Sequence, residues 1–81
     1  MGYQDNAMPD DLLDRIEALL PSLSRSEAKI ARKLMAEPEE FVRSSVRAIA
    51  ADIGISEPTV VRFCRTIGCE GFRDLKYRII Q

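Results

Sequence analysis

The sequence predicts an all-α domain, a small helical bundle of five to six helices containing a helix-turn-helix of the homeodomain-like kind. Three observations predict it. Apolar residues recur at three- and four-residue spacing along most of the chain, as one face of a helix requires. Glycine, proline and serine stand where those stripes stop and start. Strand signals are absent. With 81 residues there is room for one compact domain. Only 6% of residues are aromatic and tryptophan is missing, so the core must be built from Ala, Leu and Ile.

Residues 1–9 have no period and little to bury. They read as a flexible leader or an appended remnant, and the domain is assigned to 10–81. A first helix is predicted over 10–20, with Leu12, Leu13, Ile16, Leu19 and Leu20 on one face and Pro21 as its stop. Asp10, Asp11 and Asp14 favour its positive N-terminal end. So many leucines exceed what one small core covers, which predicts that this helix also makes part of a dimer contact. Ser24 and Glu27 form a capping box for a second helix, whose stripe is Ile30, Ala31, Leu34 and Met35. Pro38 opens a short third helix anchored by Phe41 and Val42.

Residues 46–67 carry the functional signal. A fourth helix, from about Val46 to Ile53, presents Val46, Ile49, Ala50 and Ile53 inward. Gly54 ends it, as glycine does at a left-handed C-terminal position. Ser56 caps a fifth helix over about 57–67, which Gly68 ends. Two amphipathic helices therefore meet across Gly54-Ile55-Ser56. Small Ala50 allows the close crossing, Ile55 plugs the corner, and Val60 and Phe63 anchor the second helix, with Cys64 and Ile67 extending its stripe. After a break at Gly71, Phe72, Leu75, Ile79 and Ile80 line a sixth helix.

The face of the fifth helix opposite Val60, Phe63 and Ile67 centres on Pro58, Arg62 and Arg65, with Thr59, Val61 and Thr66 beside them. Such a surface suits the major groove of DNA. Arginine offers paired donors to guanine, and valine or threonine methyls meet the thymine methyl. Glu57 can accept from a cytosine amino group, or it can simply favour the helix dipole. Ser44 and Ser45 cap the fourth helix, whose N-terminal amides, Ser45 and Arg47 included, can also meet a phosphate. Arg43, Arg73, Lys76 and Arg78 add positive charge. Ser45, Arg47, Ser56, Glu57, Pro58, Thr59, Val61, Arg62, Arg65, Thr66, Arg73 and Lys76 are the DNA-binding candidates. The alternative use of such a corner is as a protein-interaction module without DNA. Salt separates the two, because a DNA complex weakens steeply as salt rises.

Charge and composition point the same way. The net charge is −1, but residues 1–40 hold nine acids and five bases while residues 41–81 hold four acids and seven bases. The second half is thus the basic half. Histidine is absent, and there are no paired buried carboxylates or glycine-rich phosphate loop, so no enzyme, catalytic residue or cofactor is expected. Cys64 and Cys69 lack further ligands for a structural zinc. They are expected as reduced, half-buried thiols, with Cys64 on the inner stripe and Cys69 partly exposed. No apolar stretch suggests a membrane span or a secretory leader, so a cytoplasmic location is expected.

The run Ile49-Ala50-Ala51-Asp52-Ile53-Gly54-Ile55-Ser56-Glu57-Pro58-Thr59-Val60-Val61-Arg62-Phe63-Cys64-Arg65-Thr66-Ile67-Gly68 closely resembles the core of the RpiR-type regulators. Glu70-Gly71-Phe72-Arg73-Asp74-Leu75-Lys76 is similar to the segment those proteins carry next. Leu23 to Ala31 and Glu37-Pro38 are similar to the family's start, so the resemblance covers about residues 12–81. It implies a bacterial, cytoplasmic, homodimeric repressor or activator of sugar metabolism that binds a double-stranded operator, expected to be an inverted repeat. It also implies Ser56, Thr59 and Arg62 at the DNA-facing end, with Phe63, Gly68 and Phe72 as structural residues. In the family a C-terminal sugar-isomerase-like domain senses a phosphosugar. The chain stops at Gln81, where that domain would begin, so any effector is expected to act through a part not contained here.

Overall fold

The computed structural model describes residues 11–80. The expected leader over residues 1–9 lies outside them. Six α-helices follow in order: α1 (Asp11–Leu19), α2 (Arg25–Ala36), α3 (Pro38–Arg43), α4 (Val46–Ile53), α5 (Glu57–Thr66) and α6 (Phe72–Ile80). A single 3-10 turn, Leu20–Ser22, absorbs Pro21 after α1. No strand occurs among the described residues. The fold is all-α, as the apolar periodicity predicts.

Local chemistry sets most boundaries. Ser24 Oγ accepts from the Glu27 amide at 3.2 Å, and Glu27 Oε1 accepts from the Ser24 amide at 3.1 Å, which completes the capping box of α2. Pro38 occupies the first turn of α3, where a missing N–H costs nothing. Ser45 Oγ accepts from the Ala48 amide at the start of α4, and Ser56 Oγ accepts from the Thr59 amide at the start of α5. Gly54 and Gly68 sit at φ 84° and 94°, the left-handed region in which a Cβ is strained.

The core draws on every helix. Ile16, Ile30, Leu34, Phe41, Ile49, Val60, Phe63, Cys64, Ile67 and Leu75 are fully enclosed. α5 is the centre of the packing, touching α2, α4 and α6, while α1 closes over α2 and α6. Leu12 and Ile16 of α1 are buried, and Leu13, Leu19 and Leu20 pack half-buried against the core. The expected surplus of apolar surface on α1 is therefore not found, because α2 and α6 cover it. Among the described residues the exposed large apolar side chains are Tyr77 and Ile80, both on α6. Ile80, expected to line the core, is 65% exposed, since the inward stripe of α6 runs through Phe72, Leu75 and Ile79 instead.

Candidate nucleic-acid interface

The helix-turn-helix is α4, the turn Gly54-Ile55-Ser56, and α5. Ala50 is buried where the helices cross, and its carbonyl accepts from both the Gly54 amide (2.8 Å) and the Ile55 amide (3.0 Å). That paired bond turns the chain sharply. Ile55 packs against the core at the corner. Val60, Phe63 and Cys64 then face inward from α5, which fixes its rotation and turns the opposite face to solvent.

On that outer face Glu57, Pro58, Arg62, Arg65 and Thr66 are exposed, and Thr59 and Val61 are half-buried at its margins. The rotation is the one the periodicity predicts. Some of the hydroxyls have internal partners. Ser56 and Thr59 hydroxyls share a hydrogen bond of 2.7 Å, and Ser45 and Ser56 serve as caps. The Thr66 hydroxyl has two acceptors, the Arg62 carbonyl at 3.0 Å and Glu27 Oε2 on α2 at 3.2 Å.

The basic residues fall into two groups. Several are tied within the domain. Lys33 pairs with Asp52 at 2.8 Å, joining α2 to α4, and that carboxylate raises the Lys33 pKa. Arg43 pairs with Glu40 and Arg78 with Asp74. Lys76 donates to the Ser44 carbonyl at 3.2 Å and lies 5.0 Å from the centre of the Phe72 ring, so it holds α6 against the end of α3. By contrast Arg47, Arg62, Arg65 and Arg73 are exposed and pair with no carboxylate of the described residues. Exposed Arg25, Lys29 and Arg32 on α2 share that property and are not among the candidates named from the sequence.

Cys64 and Cys69 are both free thiols and both buried, which corrects the expectation of a partly exposed Cys69. The turn after α5 folds Cys69 inward, its amide donating to the Cys64 carbonyl at 2.8 Å. Burial, followed by the neighbouring Cys69, pushes the Cys64 thiol up to about 12, and burial raises Cys69 as well. No cluster of three His, Cys, Asp or Glu side chains is arranged to hold a metal among the described residues. No described helix is long and apolar enough to cross a membrane.

Residues 10–81 match the helix-turn-helix domain of the rpiR family. The chain belongs to that family. The HTH-type transcriptional regulator HexR of Escherichia coli (strain K12) is 41% identical over 71 residues, 88% of this chain and 25% of that protein. HexR of Pseudomonas aeruginosa is 38% identical over the same length, again 25% of the protein. The bifunctional protein glk of Burkholderia thailandensis is 31% identical over 68 residues, only 11% of its length. The chain thus spans about a quarter of the two HexR relatives. The crystal structure of the N-terminal domain of ybbH from Bacillus subtilis superposes with a TM-score of 0.79 at 35% identity, covering 85% of this chain and 84% of that one. This rpiR-family chain is a DNA-binding regulatory domain.

Proposed function

We propose that residues 10–81 form the operator-binding domain of a bacterial regulator of sugar metabolism, with α5 as the helix that enters the major groove. One observation carries the reading. α5 is fixed in rotation by Val60, Phe63 and Cys64, and so presents Arg62 and Arg65 together on its outer face, where neither pairs with a carboxylate of the described residues. Arg62, in the second turn, is placed to reach a base edge. Ser56, Glu57, Pro58, Thr59, Val61 and Thr66 form the surface around it. Ser45 and Arg47 at the start of α4, and Arg73 and Lys76 on α6, are assigned to phosphates. Lys76 can do so while still bonded to the Ser44 carbonyl, because an ammonium has three donors.

The wider reading rests on the family. The whole protein acts in the cytoplasm, on the nucleoid, as a homodimer on an inverted repeat. It answers a phosphosugar through a part of the protein beyond this domain. Among the described residues the exposed Tyr77 and Ile80 on α6, rather than the covered leucines of α1, offer apolar surface for self-association.

Binding of Arg62→Ala and Arg73→Ala to a duplex selected from a random library, and to its scrambled version, tests the central claim. Arg62→Ala should lose about 1–3 kcal/mol on the selected duplex and flatten preference at one base position. Arg73→Ala should weaken both duplexes alike and reduce the salt slope by about one unit. The reverse pattern would remove α5 from the role of reading helix.

A further inference from the structure

α5 is held at its C-terminal end by two residues that lie on other helices. Arg15, on α1, donates through Nη1 to the carbonyl of Ile67 at 3.1 Å, across 52 residues of sequence. That carbonyl lies at the negative end of the α5 dipole, so the contact is a charge-assisted cap delivered from another helix. The fit is close. A Cβ built on Gly68 would stand 2.6 Å from the same guanidinium nitrogen. On the other side Glu27 uses one carboxylate oxygen to close the α2 capping box and the other to receive the Thr66 hydroxyl. Arg15 and Glu27 thus approach the last turn of α5 from α1 and α2, neither of which contributes to the base-facing surface.

We propose that Arg15 is a positioning residue for DNA reading, with the Glu27–Thr66 bond as a second, weaker tie. This rests on α5 being the reading helix. The N-terminal end of α5 is fixed by the turn through Gly54 and the Ser56 cap. Its other end is held by the burial of Ile67 and Cys69, and the Arg15 bond to the Ile67 carbonyl limits the small swing about the fixed point that this packing still permits. Swinging moves the groove-facing side chains of the second and third turns, Arg62, Arg65 and Thr66, more than those of the first. Arg15 therefore sets how Arg62 meets its base pair without touching DNA. The Thr66 tie is the weaker because one hydroxyl proton is shared between Glu27 and the Arg62 carbonyl.

The test measures binding of the 81-residue chain and its variants to selected and scrambled duplexes, at a temperature where circular dichroism shows every variant folded. Arg15→Gln should lower the selected-to-scrambled ratio by about three- to tenfold, within the range for substitutions that act on a site without contacting its ligand. Arg15→Lys, which keeps a cation, should recover part of it. Thr66→Val should give a smaller drop of the same kind. Combining Arg15→Gln with Arg62→Ala should add little to Arg62→Ala alone, since both act on one base contact. A purely structural Arg15 would shift the melting temperature and leave the ratio intact, and that result would overturn the inference. If the parent chain shows no preference between the duplexes, the proposed function fails instead.

Discussion

Gly54 ends α4 and Gly68 ends α5, and the two stops share a backbone design. Each glycine is at positive φ, and the next amide reaches back five residues, Ile55 to Ala50 at 3.0 Å and Cys69 to Cys64 at 2.8 Å. Their surroundings differ. A Cβ on Gly54 would meet nothing within 4 Å, whereas one on Gly68 would run into Arg15. The first turn is closed by its own residues. The second is closed partly by a side chain from the other end of the domain. The corner between the two DNA-motif helices is therefore closed by bonds among its own residues. The far end of α5 depends on the whole fold being assembled around it.

Substitution at the two glycines measures that difference. Gly54→Ala should cost about 1 kcal/mol, the penalty for a side chain in left-handed conformation. Gly68→Ala should cost about 2 kcal/mol, because displacing Arg15 also removes a hydrogen bond worth about 1 kcal/mol. Arg15→Gln makes the comparison sharp. In that background Gly68→Ala should fall to the cost of Gly54→Ala, because there is no longer a guanidinium bond to lose. Urea unfolding with an unchanged m-value is the measurement. Equal costs at both glycines in the parent chain would mean that Arg15 contributes nothing to the second turn.

The same distinction explains what the sequence reveals and what it hides. Ser24 with Glu27, Pro38, Ser45, Gly54 and Ser56 act on neighbours three to five residues away, so their roles can be read directly from spacing. The rotation of α5 is equally legible, because Val60, Phe63 and Ile67 share one face. Three of the hidden contacts are long-range. Arg15 looks like an ordinary solvated arginine until α1 packs on α2 and α6 and brings it to the Ile67 carbonyl, 52 residues away. Thr66 looks like a groove-facing hydroxyl until Glu27 is brought beside it from 39 residues away. Lys76 looks like a free cation until the Ser44 carbonyl arrives from 32 residues away. Ile80 and Cys69 exchange expectations for the same reason, since burial near a helix end depends on what packs there.

Acid should act on the second turn. The chain leaving Gly68 is tied to α6 by Asp74, whose carboxylate accepts from the Glu70 amide at 2.9 Å and from Arg78 Nε at 3.1 Å. The Glu70 amide first, and Arg78 after it, hold this carboxyl below the ordinary carboxylate range. A depressed pKa gives stability that is complete above the unfolded value, about 3.9, and is lost as pH falls through the lower folded value. Unfolding measured from pH 7 down to pH 2 should show this loss, confined to below about pH 4. Asp74→Asn should lower stability at neutral pH and flatten that acid limb. An Asp74→Asn chain with an undiminished acid loss would assign the effect to other carboxylates.

Thiol chemistry reads the smallest differences, because it reports local opening without global unfolding. Cys64 and Cys69 flank Gly68, with 0% and 4% of their surface exposed. Thiolate is the reactive form, and burial holds both thiols protonated well above neutral pH. At pH 8 iodoacetamide should therefore modify the native chain far more slowly than the urea-unfolded one. Cys69 lies beyond the helix end and should react before Cys64, whose exposure requires α5 itself to fray. Loosening the cap should be visible here first. Gly68→Ala and Arg15→Gln should each speed Cys69 modification by about tenfold, corresponding to ~1.4 kcal/mol less opening free energy. Gly54→Ala should leave that rate almost unchanged, since its turn shares no cap with Cys69. Mass spectrometry of the alkylated chain over time separates the two sites. If Gly54→Ala accelerates Cys69 as much as Gly68→Ala does, the two turns open as one unit. The contrast between a self-contained corner and an externally braced helix end would then be lost.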